Sequence, residues 1–173
     1  MLPKRYQNQK LALGGARVMM SRVQKGLVAG FAATTVVSVL EAINLAVGHW
    51  AVAFPQLMAV ILQNPDNLVI GWAVHILAGL GLGAVFGVLC TRLPTDRPES
   101  KGILFAVGPF ILMALVIAPI GGAGMFFMRA GFGSLAWMIV SHVVFGIVLG
   151  NVYGRLVRRD KSAHHPVSAA PAH

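Results

Sequence analysis

The stretch that decides the fold is Leu68-Val-Ile-Gly-Trp-Ala-Val-His75-Ile-Leu-Ala-Gly-Leu-Gly-Leu-Gly-Ala-Val-Phe-Gly-Val-Leu-Cys90, which contains no Asp, Glu, Lys or Arg. A helix crosses the hydrocarbon core of a bilayer with about 20 mostly apolar residues. Hydrocarbon offers no partner to backbone amides and carbonyls, so a spanning segment must satisfy them internally, as an α-helix does. The stretch therefore predicts a membrane-spanning helix.

Three further stretches have the same character, at residues 26–48, 102–124 and 135–157. The whole chain is 57% hydrophobic and 11% charged, whereas soluble domains are about 25% charged. The single cysteine, Cys90, excludes a disulfide scaffold. A membrane β-barrel is excluded because its strands are segments of about 10 residues that alternate in polarity. We predict an all-α, polytopic membrane protein with four transmembrane helices.

The second and fourth spans share a pattern that indicates an internal repeat. His75 and His142 each begin the motif H-x3-G-x3-G-x2-[FY]-G, which aligns in the two spans without a gap. The starts of the first and third spans match more faintly, as Lys-Gly-Leu at 25–27 and Lys-Gly-Ile at 101–103. We interpret the chain as two repeated hairpins in a compact bundle, related by a pseudo-two-fold axis along the membrane normal.

The glycines of this motif recur every fourth residue and predict close helix packing. Membrane helices gain nothing by hiding apolar surface from lipid, so they associate through small residues that let their backbones approach. Packing alone explains the glycines best; room for a flat ligand such as a porphyrin is the alternative. The predicted packing residues are Gly79, Gly83, Gly87, Gly146, Gly150 and Gly154.

Charge and aromatic residues agree on the topology. Thirteen of the 14 basic residues flank one side of the predicted spans, and Arg129 is the exception. The positive-inside rule then places both termini in the cytoplasm. Trp50, Trp72 and Trp137 fall at the opposite ends of the spans, where an aromatic belt is expected. The net charge of +9 is therefore a topology signal that anionic lipid can complement, and we expect no nucleic-acid partner.

The chain divides into three predicted parts. Residues 1–24 form a basic cytoplasmic segment, and residues 25–158 form the transmembrane domain, with repeat 1 at 25–90 and repeat 2 at 101–157. Residues 159–173 are small, polar and proline-bearing, so we predict a disordered cytoplasmic tail.

Two prolines predict local structure. Pro55 suits the first turn of a helix, and Leu57, Val60 and Ile61 follow at helical spacing, so we expect a short helix lying on the membrane surface. Pro109 lies inside the third span, where it should kink the helix.

Three polar side chains fall at membrane depth, where such groups are costly and are functional candidates. Glu41, His75 and His142 each lie 15 residues from the inner end of their span, about 22 Å along a helix. All three are therefore expected at one level of the outer leaflet. Each histidine also precedes its glycine series by four residues, which places it near the same helix interface.

Four interpretations of these side chains stay open. The simplest is that the histidines hydrogen-bond across helices, with Glu41 protonated or paired with Arg129. The second is a b-type haem held by His75 and His142. The third is a metal site formed by His75, His142 and Glu41, which is a two-histidine, one-carboxylate set. The fourth is a proton or solute path in which the same three residues act as a relay.

From Met20 to Arg158 the chain resembles a family of small bacterial inner-membrane proteins with four spans and no assigned function. The resemblance lies in SRVQKGLVAGF (21–31), GWAVHILAGLGLGAVFG (71–87), APIGGAG (118–124) and SHVVFGIVLGNVYG (141–154). It implies the fold and a bacterial inner-membrane location, and it supplies no activity. His75 and His142 belong to the resembling pattern, whereas Glu41 does not.

No arrangement of serine, cysteine and histidine in the sequence suggests a nucleophile with its base. We therefore expect a non-enzymatic accessory or scaffold subunit that contacts lipid and other membrane subunits or itself. The alternatives are a haem- or metal-binding redox protein and a small oligomeric transporter or proton path.

Overall fold

The computed structural model describes residues 20–48 and 50–164, and every regular element in that part of the chain is helical. Helix α1 is Arg22–Val47, α2 is Phe54–Ile61 and α3 is Leu68–Leu89, which a 3-10 turn extends to Arg92. Helix α4 is Pro98–Ile120 and α5 is Phe132–His164. Of these, α1, α3, α4 and α5 are long and apolar enough to cross a membrane, so the predicted all-α, four-span architecture is confirmed.

The first helix begins earlier than predicted because the sequence caps it. The Ser21 hydroxyl accepts the backbone N–H of Gln24 at 3.1 Å, and the Gln24 side chain accepts the backbone N–H of Ser21 at 2.8 Å. This reciprocal capping box satisfies two amides that a helix start otherwise leaves unpaired. Residues 22–24 therefore belong to α1 and not to a separate segment, while residues 1–19 lie outside the described part.

The helices pack as two hairpins joined along one side. Helix α1 packs against α3, α4 packs against α5, and α1 also packs against α5. We call the end where α1 begins and α5 finishes the terminal end, and the opposite end the distal end. At the terminal end, Lys25 Nζ pairs with Asp160 Oδ2 at 2.6 Å, which links α1 to α5.

Glycines lie at both hairpin contacts. A Cβ on Gly83 would stand 2.6 Å from Gly30 Cα, and a Cβ on Gly146 would stand 2.8 Å from Ile103 Cα. Such contacts join one backbone to another, so a larger side chain at either site requires the helices to separate. The predicted residues at these two contacts are Gly79, Gly83 and Gly87 on α3, against α1, and Gly146, Gly150 and Gly154 on α5, against α4.

Helix α4 is irregular at the position where proline predicts a kink. Its regular part ends at Leu112 and continues as a π-helical turn, Met113–Ile117, before one last turn at Ala118–Ile120. Proline has no N–H to donate, so Pro109 disturbs the hydrogen-bond ladder of its own helix. The π-helical turn follows four residues later, and Met113 within it is buried.

Helix α2 forms where predicted, but its buried face is not the predicted face of Leu57, Val60 and Ile61, and its location at a membrane surface stays a prediction. Leu57 is buried, whereas Val60 is 48% exposed. The buried residues are Pro55, Leu57, Met58 and Ala59, because α2 packs against α3 and fills the distal end of the bundle. The Pro55 carbonyl reaches this position because it rests on Gly71, where any Cβ would collide with it.

The predicted disordered tail is wrong for residues 159–164, which continue α5. The pairing of Asp160 with Lys25 and the bond from Ser162 Oγ to the Arg158 carbonyl, at 3.1 Å, both hold this end of the helix. Residues 165–173 of the predicted tail lie outside the described part.

Candidate functional site

The predicted polar residues of the spans line one cavity in the distal half of the bundle. Its volume is about 390 Å³, and its surface is almost entirely apolar. Pockets that bury small ligands have volumes of roughly 300–1,000 Å³ and mostly apolar walls with a few polar groups. The wall residues are Thr34, Val37 and Glu41 from α1, Phe54 and Met58 from α2, Val74, His75, Ala78, Gly79 and Leu82 from α3, Pro109, Leu112, Met113 and Ile117 from α4, and Met138, Ser141, His142 and Phe145 from α5.

The cavity exists because the two hairpins meet closely on one side only. The α1–α5 side is closely packed, whereas α3 and α4 are not a closely packed pair in the described part. We call this second side the α3–α4 seam. Leu112 of α4 lines the cavity and is 56% exposed, so the seam opens toward the surroundings of the helices. In a membrane those surroundings are lipid.

Aromatic rings close the seam toward the terminal end. The Phe86 ring on α3 lies 5.3 Å from the Phe105 ring on α4 and 5.3 Å from the Tyr153 ring on α5. The Tyr153 hydroxyl donates to the Gly87 carbonyl at 3.2 Å, which fixes the ring in place. Edge-to-face aromatic contacts of this kind stabilise packing by roughly 0.5–1.5 kcal/mol each. The cavity therefore ends at this aromatic cluster.

Glu41 is 1% exposed and faces the cavity from the α1–α5 side. One carboxyl oxygen, Oε1, accepts the indole N–H of Trp137 at 3.2 Å, and Oε2 has no hydrogen-bond partner. The pairing of Glu41 with Arg129 considered from the sequence is wrong, since Trp137 takes that place. Trp137 also packs against Trp50, with ring centroids 4.8 Å apart. Its hydrogen bond to Glu41 gives it a contact within the site, which the predicted aromatic belt does not imply.

His75 faces the cavity from α3 and is 9% exposed. Its ring lies between aromatic neighbours, 5.4 Å from the Phe54 ring and 5.7 Å from the Trp72 ring. These contacts fix the plane of the imidazole, while its Nε2 atom has no hydrogen-bond partner. The ring is thus held by packing and keeps one polar atom free for another molecule.

His142 faces the same cavity from α5, so the structure brings both predicted histidines to one site. Its Nδ1 lies 2.8 Å from the Met138 carbonyl, one helical turn earlier, and its ring packs edge-on to Phe110 at 5.6 Å. A carbonyl acceptor at Nδ1 fixes the tautomer and leaves Nε2 as the second ring nitrogen. The Met138 carbonyl lies within the same helix as His142, so α5 itself sets the orientation of this ring.

Ser141 is a site residue that the sequence analysis missed. Its side chain is buried, it lines the cavity, and its Oγ has no hydrogen-bond partner. A small hydroxyl at membrane depth, next to a predicted histidine, was the available signal. With Glu41 Oε2 and His75 Nε2, it makes three unpartnered buried polar atoms in one cavity, and each costs roughly 1–3 kcal/mol when unpaired.

The proposed three-ligand metal site is not assembled in this structure. No group of three or more His, Cys, Asp or Glu side chains within residues 20–48 and 50–164 lies close enough together to hold a metal ion. Glu41 is engaged by Trp137 on the α1–α5 side, which accounts for its separation from a two-histidine set. The expectation of a metal bound by His75, His142 and Glu41 together is therefore corrected.

Hydrogen bonds to the loop after α1 hold the distal wall of the site. Asn44 Nδ2 donates to the Ala51 carbonyl at 2.9 Å, and Asn44 Oδ1 accepts the Ala51 N–H at 3.3 Å. One turn before Trp137, Ser134 Oγ accepts the backbone N–H of Val52 at 3.0 Å. These bonds tie α1 and α5 to the segment that enters α2, so the Glu41–Trp137 contact is held from both helices.

Comparison with known proteins identifies a family and no closer relative. The model of a family of unknown function (DUF6789) matches residues 20–164. No curated protein and no solved structure matches the chain.

Proposed function

The chain belongs to the family of unknown function DUF6789, and we propose that it binds a small lipophilic molecule within the membrane, in the cavity between its two hairpins. The observation that carries this proposal is that three residues lining one apolar cavity, Glu41, His75 and Ser141, each have a buried polar atom without a hydrogen-bond partner. Buried polar groups in native proteins are nearly always paired, so unpaired ones call for a partner. A bound molecule supplies that partner.

The α3–α4 seam gives such a molecule a route from the bilayer. Leu112 and Pro109 form part of the cavity wall on the α4 side, and neither is fully buried. The π-helical turn that follows Pro109 adds Met113 and Ile117 to the same wall. Single π-helical turns are frequent at functional sites, because they turn side chains away from the regular helix register.

The chemistry of the cavity supports a non-enzymatic role. A catalytic nucleophile needs a base within hydrogen-bond reach. Ser141 Oγ and His75 Nε2 both lack a hydrogen-bond partner, so they are not bonded to each other. We therefore propose a binding or accessory subunit, with the lipid bilayer and other membrane subunits or a second copy as its partners.

The charge distribution supports a location for this function. Nine lysine and arginine residues of α1–α5 and their connections lie at the terminal end. Among the described lysine and arginine residues, Arg129 alone lies at the distal end. By the positive-inside rule we place the terminal end in the cytoplasm. With the family resemblance, this supports a bacterial inner membrane and a cavity in its outer leaflet.

Two alanine positions on α3 make a matched test. Ala78 lines the cavity, whereas Ala73 on the same helix is exposed and does not. The protein is purified in mild detergent, and native mass spectrometry measures any small molecule that remains bound. We expect a one-to-one adduct in the wild type and in Ala73→Phe, and its loss in Ala78→Phe. Equal adducts in all three proteins would refute cavity binding.

A b-type haem is a second candidate, favoured by one observation. A histidine that binds a metal usually donates its other ring N–H to a carbonyl or carboxylate. His142 has such a contact with Met138, and His75 offers an unpartnered Nε2 in the same cavity. An absorption spectrum of the gently purified protein tests this candidate. This candidate predicts a Soret band that is lost in both His75→Ala and His142→Ala; a colourless protein would contradict it.

We do not propose a proton or solute path, but a flux assay can detect one. The aromatic cluster of Phe86, Phe105 and Tyr153 separates the cavity from the terminal end, so nothing favours a continuous path. Proton flux into liposomes that Glu41→Gln abolishes would support it over simple binding.

A further inference from the structure

We infer that the cavity selects a lipophile whose head is an uncharged hydroxyl group, such as a long-chain or isoprenoid alcohol. This inference rests on the proposed function and names the class of molecule that the same site takes. It follows from the signs, hydrogen-bonding capacities and positions of the polar groups on the cavity wall.

The absence of cationic partners excludes an anionic head. No lysine or arginine is among the described residues that line the cavity. Burying an unpaired anion in an apolar site is strongly unfavourable, and recognition of phosphate groups usually relies on arginine or lysine. The Glu41 carboxyl on the same wall adds no positive charge. A phosphate or carboxylate head therefore finds no matching charge.

The three unpartnered atoms are best matched by a head group that both donates and accepts hydrogen bonds. Ser141 Oγ both donates and accepts hydrogen bonds, and Glu41 Oε2 accepts one when the carboxyl is ionised and donates one when it is protonated. A hydroxyl group donates one bond and accepts up to two, so it satisfies the serine and either form of the carboxyl. A ketone or aldehyde accepts only, so it leaves the ionised carboxyl unpaired. His75 Nε2 is available to either kind of head.

The order of residues along the helices gives the orientation of the molecule. Glu41 and His75 lie in the distal part of the cavity, whereas Thr34, Leu82 and Phe145 line it toward the middle of the bundle. Thr34 Oγ1 is satisfied by the Gly30 carbonyl at 2.7 Å, so that inner part offers little to a polar head. The head thus points to the distal surface and the apolar chain toward the midplane, as in a lipid of that leaflet.

Three probes with one apolar chain separate these requirements: farnesol, farnesal and farnesyl phosphate. Their binding to the purified wild-type protein is measured by native mass spectrometry, with Ala78→Phe as the baseline for binding outside the cavity. We expect farnesol to bind about tenfold more tightly than farnesal at alkaline pH, where Glu41 is ionised and the aldehyde cannot donate a hydrogen bond to its carboxylate. Farnesyl phosphate should not exceed the Ala78→Phe baseline.

The serine supplies a second readout with its own control. Ser141→Ala should weaken farnesol binding about fivefold. Thr35→Val removes an exposed hydroxyl on α1, which bonds only to the Phe31 carbonyl, and should leave binding unchanged. Gel filtration and circular dichroism confirm that both variants are folded.

The outcomes distinguish this inference from the proposal beneath it. Equal binding of the three probes, all lost in Ala78→Phe, would overturn the hydroxyl class and leave cavity binding intact. Tighter binding of farnesyl phosphate than of farnesol would also overturn it. Binding of every probe that Ala78→Phe does not reduce would refute the proposed function itself.

Discussion

Gly83 of α3 offers a test of the close helix packing that frames the cavity. A Cβ at this position would stand 2.6 Å from Gly30 Cα and would also collide with the Gly26 carbonyl oxygen. Carbon atoms in contact prefer about 3.5–4.0 Å, so Gly83→Ala requires α1 and α3 to separate by about 1 Å. Overpacking of this kind costs roughly 1–3 kcal/mol.

Gly81 is the matched control, because it lies two residues away on the same helix and a Cβ there meets no atom within 4 Å. Both substitutions gain the same helix propensity, about 1 kcal/mol, so the difference between them isolates packing. Unfolding is followed by tryptophan fluorescence while sodium dodecyl sulfate is titrated into mixed micelles. We expect Gly83→Ala to be less stable than Gly81→Ala by about 1–3 kcal/mol. Equal stability of the two variants would refute backbone contact between α1 and α3.

Three further predictions concern other parts of the bundle. Gly102→Ala should destabilise the protein by about 1–3 kcal/mol relative to Gly108→Ala in the same titration, because a Cβ collides with the neighbouring helix only at Gly102. Asn44→Ala leaves the backbone N–H and carbonyl of Ala51 unpaired, so it should lower the free energy of unfolding by about 2 kcal/mol or more. An unchanged value would contradict the role of Asn44 in holding this loop. Asp160→Asn removes the ion pair with Lys25, whose two side chains are only 11% and 26% exposed, so it should lower the free energy of unfolding by about 1–3 kcal/mol; an unchanged value would contradict the pair.

The fold could be read from the sequence because its strongest signals are local. Apolar length predicts each span without knowledge of the others, and the glycines of the histidine–glycine pattern lie at both hairpin contacts. Glycine at every fourth residue likewise predicts a contact surface, since spacing fixes which residues share a helix face. The boundaries moved only where a local cap acts, as at Ser21, or where a distant ion pair extends a helix, as at Asp160.

The cavity could be predicted only in part, because it depends on how the hairpins meet. Equal depth predicted that Glu41, His75 and His142 share one level, and all three line the cavity. Equal depth says nothing about the direction around the helix axis, so the Trp137 contact that holds Glu41 was missed. Ser141 was missed for the same reason, since its importance comes from the neighbours that other helices bring to it.

The open seam is a property that a two-fold repeat does not predict. Under the repeat, the α1–α5 contact should have a counterpart between α3 and α4. Among the described residues, Phe86 and Phe105 pack together at that position, but α3 and α4 are not closely packed as α1 and α5 are. The two hairpins differ here in their connections. Helix α2 connects α1 to α3 in the first hairpin and packs against α3. A sequence repeat predicts the contacts that two halves of a chain have in common, whereas this cavity lies where the packing of the two halves differs.

Photo-crosslinking tests the central claim most directly. A farnesol analogue with a diazirine in its chain is added to the protein in lipid nanodiscs, irradiated, and mapped by peptide mass spectrometry. Our account predicts labels on cavity residues of α3 and α5, such as Leu82 and Phe145, that unlabelled farnesol competes away. Labels confined to lipid-facing residues such as Leu77 and Val140, without competition, would contradict binding inside the bundle.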